Sequence, residues 1–288
     1  NAASAASLAR IKGANSSHTY QKNDSELIKQ RQYLEWASKI DQILQHNMLT
    51  LRCQYIYPIK NSENKKPSIE ILLGMVDENG HLVISEGFVA AAEHYNRMAE
   101  VDRWIITSTF ETVAENIHRL EDVESISINL SASSLDNERF ADFIISQAKK
   151  SGVPMKMICF DITKTAEIHN LSNASDFIHK IKATGCKFAL DDFGSGNSSY
   201  AYLKNLPVDY LKIDGSFIRE MDSNVSDYAV VKSIVEMGHF MGKEVIAESV
   251  ENESILAKLV ELDIDYSQGY INGKPILFDE VLGSLSTV

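Results

Sequence analysis

The sequence predicts an α/β fold, specifically a (β/α)8 barrel of the TIM type. Short β-rich runs alternate with longer amphipathic stretches along most of the 288 residues. This alternation is typical of right-handed βαβ units that share one parallel sheet. Eight β-rich runs lie between residues 49 and 271, which matches the ~250 residues of such a barrel. A doubly wound open sheet would show the same alternation and is the alternative architecture.

The β-rich runs are short, and turn residues separate them from the helical stretches. They span residues 49–59, 68–75, 125–130, 157–163, 187–193, 209–213, 244–250 and 265–271. The clearest helical stretches span residues 101–120, 137–150, 176–184, 227–241 and 253–262. Gly152, Gly185 and Gly242 lie at the ends of three of these stretches, where glycine commonly terminates a helix.

The residues before the first β-rich run differ in character from the rest. Residues 1–23 are small, polar and aperiodic, so we expect a linker or the tail of a preceding domain. Residues 24–47 are predicted to form a linker helix, because Leu27, Leu34, Ile40 and Ile43 fall near one helical face. Residues 48–288 are then predicted to form one domain. Because the chain begins with Asn1 rather than Met, we expect it to be part of a longer protein.

Composition narrows the function classes. The net charge of −12 is a poor match for a nucleic-acid polymer, which attracts clustered Lys and Arg. Cys53, Cys159 and Cys186 are far apart in the sequence, so free thiols in a reducing cytoplasm are expected. No apolar run reaches the length of a membrane span. We therefore expect a cytoplasmic domain, and the net charge does not exclude a small anionic ligand held through metal ions.

Most of the β-rich runs place polar side chains on the face opposite their aliphatic residues. In one run, Ile126 and Ile128 alternate with Ser127 and Asn129. Because side chains alternate between the two faces of a strand, helices would cover the aliphatic face and the polar residues would point into the barrel. Barrel enzymes carry their chemistry at the C-terminal strand ends. The polar residues predicted there are Glu70, Asn129, Asp161, Asp191, Lys212, Glu248 and Gln268.

Carboxylates dominate this predicted cluster, and Asp192 directly follows Asp191 in the stretch "FALDDFGSG" (188–196). Carboxylates that converge without a partner repel one another strongly, so a cation must lie among them. No His or Cys has metal-ligand spacing, and oxygen ligands favour Mg²⁺ or Mn²⁺. Adjacent carboxylates can serve two neighbouring ions, and two such ions suit phosphodiester hydrolysis.

Several stretches, in order, resemble the EAL domain of bacterial cyclic di-GMP phosphodiesterases. They are "CQYIYPI" (53–59), "IEILL" (69–73), "SINLSASSL" (127–135), "FDIT" (160–163), "FALDDFGSG" (188–196), "LKNLPVDYLKIDGSFI" (203–218), "IAESVE" (246–251) and "YSQGYINGKP" (266–275). The resemblance covers about residues 48–280. Residues 1–47 resemble the tail of a GGDEF domain that leads into an EAL domain.

The resemblance implies a barrel whose first strand is antiparallel, and an enzyme that converts cyclic di-GMP to linear pGpG. It implies two metal ions, with the ligands Glu70, Asn129, Asp161, Asp191, Asp192 and Glu248. Lys212, Glu70 and Glu248 would be catalytic, with Lys212 positioning or deprotonating the attacking water. Substrate contacts would come from Gln54, Leu72, Asp214 and Gln268. A loop containing Phe193, Gly194, Ser195 and Gly196 would couple metal binding to formation of a homodimer.

Three positions depart from the family pattern. Gly74 stands where the family has an Arg that grips a ligand phosphate, and Lys164 replaces a Glu that tethers the 191–196 loop. Asp161 replaces a metal-binding Glu, and its side chain is shorter by about 1.5 Å. The sequence therefore leaves three alternatives open. They are a weakened phosphodiesterase, a catalytically inactive cyclic di-GMP receptor, and a dimerisation module that regulates a partner.

Overall fold

The computed structural model describes residues 25–46, 48–59, 65–77, 79–83, 86–163, 171–194 and 199–285. These residues form two compact units. The first contains the described residues up to Leu49 and those from Gly74 to Val101. The second contains the remaining residues, from Thr50 to Leu73 and from Asp102 onward.

The first unit is mainly helical, with helices α1 (Ser25–Ala37), α2 (Ile40–Gln45) and α3 (Glu86–His94). Residues 24–47 were predicted as one helix, but a turn at Ser38 and Lys39 divides the described part into α1 and α2. Helices α1 and α3 pack through Trp36 and Phe88, whose rings meet edge to face at 6.3 Å. Strand β3 (Leu82–Val83) also belongs to this unit.

The second unit contains the barrel. Its strands are β1 (Leu49–Pro58), β2 (Ser68–Val76), β4 (Ile126–Leu130), β5 (Ile158–Thr163), β6 (Lys187–Phe193), β7 (Tyr210–Ile213), β8 (Glu244–Ala247) and β9 (Tyr266–Gln268). Parallel pairing runs from β2 through β4 to β9 in chain order. Strand β1 is antiparallel to β9, with Ile56 opposite Gln268, and a β1–β2 pairing closes the barrel. The predicted barrel with an antiparallel first strand is confirmed, and the open-sheet alternative is wrong.

Helices follow most of the parallel strands. They are α4 (Met98–Glu115), α5 (Ala132–Leu135), α6 (Glu138–Ser151), α7 (Leu171–Lys182), α8 (Ser199–Asn205), α9 (Gly215–Ile218), α10 (Val225–Phe240), α11 (Glu253–Glu261) and α12 (Phe278–Ser284). A short strand, β10 (Ile276–Leu277), pairs antiparallel with β1, with Cys53 opposite Ile276. Asparagine side chains cap α6, α10 and α11, as expected for residues that satisfy free N–H groups at helix starts.

Among the described residues, none of the helices combines the length and apolar composition that a membrane crossing requires. The three cysteines have free thiols, and all three are buried.

The barrel interior consists of two layers with different chemistry. The lower layer, toward the strand N-termini, is an apolar cluster of Ile56, Cys159, Ala189, Tyr210, Ile246 and Tyr266. Two residues further along several of these strands, the inward positions change to polar side chains, as from Cys159 to Asp161 and from Tyr210 to Lys212. The alternate strand residues face the helices and are fully buried, including Ile128, Phe160 and Leu211. The period of two therefore places the polar layer inside the C-terminal end of the barrel.

Candidate active site

A fully buried lysine lies at the centre of the polar layer. The ammonium nitrogen of Lys212 is 3.0 Å from Glu70 Oε2, 3.1 Å from Asp161 Oδ2, 3.5 Å from Asp191 Oδ2 and 2.9 Å from Glu248 Oε1. These carboxylates come from four different strands or strand ends. Burial alone disfavours the charge on Lys212, but the four carboxylates outweigh it and raise its pKa well above the usual value. Lys212 is therefore an ammonium at neutral pH.

Glu70 is buried but accepts hydrogen bonds from two side-chain amides of the polar layer. Its Oε1 accepts from Asn129 Nδ2 at 2.7 Å, and its Oε2 accepts from Gln268 Nε2 at 2.7 Å. Burial raises the pKa of Glu70, but the Lys212 ammonium and these donors more than offset burial and leave the pKa below the usual value. Glu70 is thus ionised, with a fixed orientation, at neutral pH.

The other three carboxylates around Lys212 carry more charge than one ammonium can neutralise. Burial raises the pKa of Asp161 to about 6 although Lys212 opposes it, and the charges of Glu70 and Asp191 add to the increase. Burial likewise raises the pKa of Asp191, and raises that of Glu248 well above its usual value. The cluster therefore favours additional positive charge, either as protons or as a metal cation.

The adjacent residues Asp191 and Asp192 face the same site because β6 is irregular there. A regular strand would direct neighbouring side chains to opposite faces. The pairing of β6 with β7 instead shifts register between Leu190 and Phe193, and Asp192 adopts a left-handed backbone conformation with φ of 54°. As a result, carboxylate oxygens of Asp191, Asp192 and Glu248 all lie within 4.8 Å of one another. Burial and the charges of Asp191 and Asp214 raise the pKa of Asp192 to about 6.

A similar turn follows β8. The strand was predicted to continue to residue 250 but ends at Ala247, and Ser249 has a left-handed φ of 54°. The turn leaves the Glu248 side chain only 19% exposed and in contact with Lys212. Gly215 packs against this turn, since a Cβ at that position would lie 2.2 Å from Ser249 Oγ. Gly215 is therefore required for the close approach that shapes this side of the site.

The oxygen atoms of this layer fit a divalent cation. Asp161 Oδ2 and Gln268 Oε1 are buried, and neither accepts a hydrogen bond from any described residue. The ammonium of Lys212 lies 3.1 Å from Asp161 Oδ2 and is shared with three other carboxylates. Buried acceptors without donors are rare in folded proteins. Carboxylate and amide oxygens are the ligands that hard divalent cations prefer.

A cavity of about 210 Å³ adjoins the carboxylate cluster. Its lining residues are Gln54, Arg219, Glu248, Ser249, Glu251, Gln268, Gly269 and Tyr270. Arg219 is the one positively charged residue in this set, and its guanidinium lies 3.4 Å from Ser249 Oγ. Tyr270 is 58% exposed. The cavity thus offers a guanidinium, side-chain amides and an accessible aromatic ring beside the acidic cluster.

Three of the predicted substrate contacts, Gln54, Leu72 and Asp214, lie outside the acidic cluster. Gln54 donates to the Gly273 carbonyl at 2.9 Å and accepts from Gln268 at 3.3 Å. Leu72 is half-buried in β2, where strand alternation places it on the Glu70 side. Asp214 caps helix α9 by accepting from Ser216 N at 2.7 Å. These residues remain predicted substrate contacts.

The predicted loop is described only at its start. Phe193 is buried, and Gly194 has a φ of 106° with Phe217 close to where a Cβ would stand. Ser195 and Gly196 lie outside the described residues, as does Lys164. Gly74 is buried in β2.

Sequence reasoning missed two residues that bear on the site. Arg219 lies on the short segment after β7, and nothing in its local sequence distinguishes it from a surface charge. Asp102 is 1% exposed and accepts hydrogen bonds from the turn after β4. A signal for Asp102 was available, because it shares a helical face with the buried residues Ile106 and Thr109, where a carboxylate needs partners.

Comparison with known proteins agrees with this geometry. The EAL domain family matches residues 39–275. The cyclic di-GMP phosphodiesterase PdeB of Shewanella oneidensis is 39% identical over 269 residues, which are 93% of this chain and 31% of PdeB. The cyclic di-GMP phosphodiesterase PdeA of Borreliella burgdorferi is 37% identical over 81% of this chain and 34% of that protein. The chain therefore spans about a third of the length of these curated relatives.

Solved structures agree as well. The EAL enzyme Bd1971, in a form bound to cAMP and cyclic-di-GMP, matches with a TM-score of 0.80 and 26% identity over 91% of this chain and 70% of that chain. The PaMucR phosphodiesterase, in complex with c-di-GMP, shares the fold with a TM-score of 0.77, covering 86% of this chain and 99% of that chain at 24% identity. The family match covers most of the barrel and all residues of the acidic cluster. The chain therefore belongs to the EAL domain family.

Proposed function

We propose that this domain hydrolyses cyclic di-GMP to linear pGpG with the help of two divalent cations, Mg²⁺ or Mn²⁺. The observation that carries the proposal is the set of four carboxylates within 3.5 Å of the Lys212 ammonium. This arrangement occurs in an EAL domain that is 39% identical to a protein named as a cyclic di-GMP phosphodiesterase. The cluster supplies the charge and the oxygen ligands that metal-assisted phosphodiester hydrolysis requires.

The metal ligands follow from the oxygen atoms of the cluster. Side chains from neighbouring strand ends would hold the first cation, and they are Glu70, Asn129, Asp161, Asp191 and Glu248. Asp192 would hold the second. When bound, such cations polarise the phosphodiester and lower the pKa of the attacking water. Mg²⁺ and Mn²⁺ are the candidates because the ligand set contains oxygen atoms alone.

The protonation states of the residues assign their roles. Lys212 is an ammonium, and an ammonium donates hydrogen bonds but does not accept a proton. We therefore assign Lys212 to orient the attacking water and to stabilise negative charge on the phosphate. Glu248, 2.9 Å from the same ammonium, would hold the cation that activates the water. Glu70, held by Asn129 and Gln268, keeps Lys212 in place.

Bond changes in the proposed reaction balance without any further reactant. The water oxygen forms a bond to phosphorus, and the bond between phosphorus and the 3′ oxygen of the ribose breaks. One proton of the water passes to solvent, and the leaving 3′ oxygen takes one proton from solvent and ends as a hydroxyl. The product is a linear dinucleotide with a terminal 5′ phosphate.

The cavity beside the cluster is proposed to hold the rest of the substrate. The guanidinium of Arg219 suits a phosphate, since its paired N–H groups match two phosphate oxygens. The exposed ring of Tyr270 offers a surface on which a guanine base can stack. Gln54, Gln268, Leu72 and Asp214 would complete the contacts.

We further propose that the domain acts as a homodimer in the cytoplasm, next to a GGDEF domain in the whole protein. The resemblance of the N-terminal residues to a GGDEF tail supports the neighbour. The family resemblance of the segment after Asp192 supports the dimer. Sedimentation at high micromolar concentration, with and without cyclic di-GMP, tests the oligomeric state.

The proposed reaction is tested by incubating the purified chain with cyclic di-GMP and Mn²⁺ and separating the nucleotides by chromatography. We expect pGpG from the wild-type chain and none from the Asp191→Ala variant. Asp122→Ala is the matched control, because Asp122 is exposed and pairs with Lys66, which is not part of the cluster. Absence of pGpG at saturating Mn²⁺ would overturn the enzyme proposal.

Binding without hydrolysis is the second candidate function. It is favoured by Asp161, whose carboxylate is shorter than the Glu of the family pattern, and by the loss of a loop-tethering Glu at residue 164. Calorimetry with cyclic di-GMP in Ca²⁺ separates this candidate from a purely regulatory dimer. Binding with no pGpG in Mn²⁺ supports a receptor, whereas absence of binding in both ions supports the regulatory module.

A further inference from the structure

A buried carboxylate outside the acidic cluster is tied to the turn that follows β4. Asp102, on helix α4, is 1% exposed. A single oxygen, Oδ2, accepts from Ser131 N at 3.1 Å, from Ser131 Oγ at 2.6 Å and from Ser134 Oγ at 2.6 Å. Hydrogen bonds to an ionised acceptor are stronger than those between neutral groups. Three of them converging on one atom hold this turn firmly to α4.

The turn is the C-terminal exit of the strand that carries Asn129. Strand β4 ends at Leu130, and Ser131 is the next residue and the N-cap position of helix α5. The Ser131 side chain does not cap its own helix, although serine is a favoured capping residue. It donates to Asp102 instead. The serines of the segment "NLSASS" therefore serve as donors to Asp102, and Ser131 does not serve as a side-chain cap for α5.

Asn129 connects this turn to the acidic cluster. Its Nδ2 donates to Glu70 Oε1 at 2.7 Å, which leaves its carbonyl oxygen as the atom available to a cation. Ser131 is two residues after Asn129, and only Leu130, the last residue of β4, lies between them. The hydrogen bonds to Asp102 therefore hold the backbone directly after Asn129. A shift of the β4 exit would move the Asn129 amide and loosen its hold on Glu70.

We infer that Asp102 is a positioning residue for the metal site, acting through Ser131 to fix Asn129. This inference rests on the proposed function only in that the cluster binds a divalent cation. Groups that orient metal ligands from behind typically change metal affinity or activity by about 10- to 100-fold when removed. Asp102 itself does not touch the cluster, so its removal should act only while Asn129 is present.

The test is a double-mutant cycle measured by Mn²⁺ binding, followed by electron paramagnetic resonance of free Mn²⁺. We expect Asp102→Leu to weaken Mn²⁺ binding by about tenfold and to have less than about a twofold further effect in the Asn129→Ala background. Asp102→Asn keeps an oxygen acceptor and should stay within about threefold of wild type. Ser134→Ala, which removes one of three donors, should lie between these values.

A matched control separates positioning from loss of stability. Asp265 is also a buried carboxylate, and it accepts from Val245 N and His239 Nε2 at 2.8 Å each at the opposite end of the barrel strands. Asp265→Leu should lower Tm as Asp102→Leu does, but leave the Mn²⁺ affinity of the folded protein unchanged.

The outcomes are distinguishable. If the wild-type protein binds no Mn²⁺, the proposed metal-dependent function is wrong, whatever the role of Asp102. If wild type binds Mn²⁺ and Asp102→Leu changes only Tm, the positioning role is overturned. An equal loss of affinity with and without Asn129 would also overturn it, because Asp102 would then act by another route.

Discussion

Lys212 Nζ and Glu70 Oε2 lie 3.0 Å apart inside the barrel, although 142 residues separate them in the chain. Lys212 is fully buried, and the Glu70 side chain is 6% exposed. Removing one partner of a buried ion pair commonly costs about 3–5 kcal/mol, because the remaining charge is left without compensation. Here three further carboxylates depend on the same ammonium. The pair therefore links the stability of the barrel to the charge balance of the site.

Lys212→Met should destabilise the metal-free protein strongly and make it depend on a cation. The expected loss is about 3–5 kcal/mol of unfolding free energy, with a larger stabilisation by Mn²⁺ than wild type shows. Thermal unfolding with and without Mn²⁺ measures both effects. Lys182→Met is the control, because Lys182 pairs with Asp209 away from the cluster and its loss should not change the response to Mn²⁺. Equal Mn²⁺ responses in both variants would contradict this account.

Asp161→Glu should raise kcat. Asp161 is fully buried, with Oδ2 3.1 Å from the Lys212 ammonium and Oδ1 3.7 Å from Cys159 Sγ. An additional methylene extends the carboxylate toward the cation that it would ligate, and a misplacement of about 1 Å can change rates by about 100-fold. Production of pGpG at saturating Mn²⁺ measures the gain. Lys164→Glu serves for comparison, and a larger increase in that variant would show that loop order, not the Asp161 ligand, limits catalysis.

Arg219→Met should raise KM for cyclic di-GMP by about tenfold or more, which corresponds to loss of one charge-assisted contact. In the proposed reaction the reacting phosphate would lie at the carboxylate cluster, and we assign Arg219 to the phosphate that does not react. Hydrolysis of bis(p-nitrophenyl) phosphate, which has a single phosphate, should therefore be unchanged. A similar loss with both substrates would place Arg219 on the reacting phosphate. Glu253→Met provides an exposed control on α11.

Unfolding free energy of the metal-free protein should increase as the pH falls from 7 toward 5. The folded-state pKa of Asp161 is raised to about 6, above the value of about 3.9 expected in an unfolded chain. The stabilisation from its proton is complete below the unfolded pKa and is lost as the pH rises through 6. An increase of about two in the pKa corresponds to about 3 kcal/mol when complete, and about half of it is gained by pH 5.

Denaturant unfolding at several pH values, with Asp161→Asn for comparison, isolates this contribution. The neutral side chain should flatten the dependence between pH 4 and pH 6, as about one titrating group is removed. Glu70, whose pKa is lowered, acts in the opposite direction and remains in both proteins. An identical pH dependence of the two proteins would show that Asp161 does not titrate in this range.

The barrel was predictable because it depends on patterns that repeat along the chain. Alternation in β4 and β5 placed Asn129 and Asp161 on the inner face, and the register pairs them directly. The two turns that complete the acidic cluster were not predictable. Asp192 and Ser249 both adopt left-handed conformations without being glycine, which local sequence disfavours and only tertiary packing can stabilise.

The sequence predicted that a cation balances the clustered carboxylates, but not that a lysine side chain is part of that balance. Repulsion among the carboxylates required a cation, and the sequence indicated a metal. The structure shows that Lys212 itself contacts four of them, because β7 ends at the centre of the cluster. The contact between Asp102 and the β4 exit escaped prediction for a similar reason, since it joins residues from different elements.

The apolar lower layer of the barrel also determines how molecules can reach the site. Ile56, Tyr210, Ile246 and Tyr266 fill the interior below Lys212, and the cavity among these residues is only about 10 Å³, too small for passage of a hydrated ion. Among the described residues, the C-terminal end of the barrel is then the route by which molecules both enter and leave the acidic cluster. A dinucleotide bound at that end would block the path of a cation. The product would therefore have to dissociate before a cation could be exchanged.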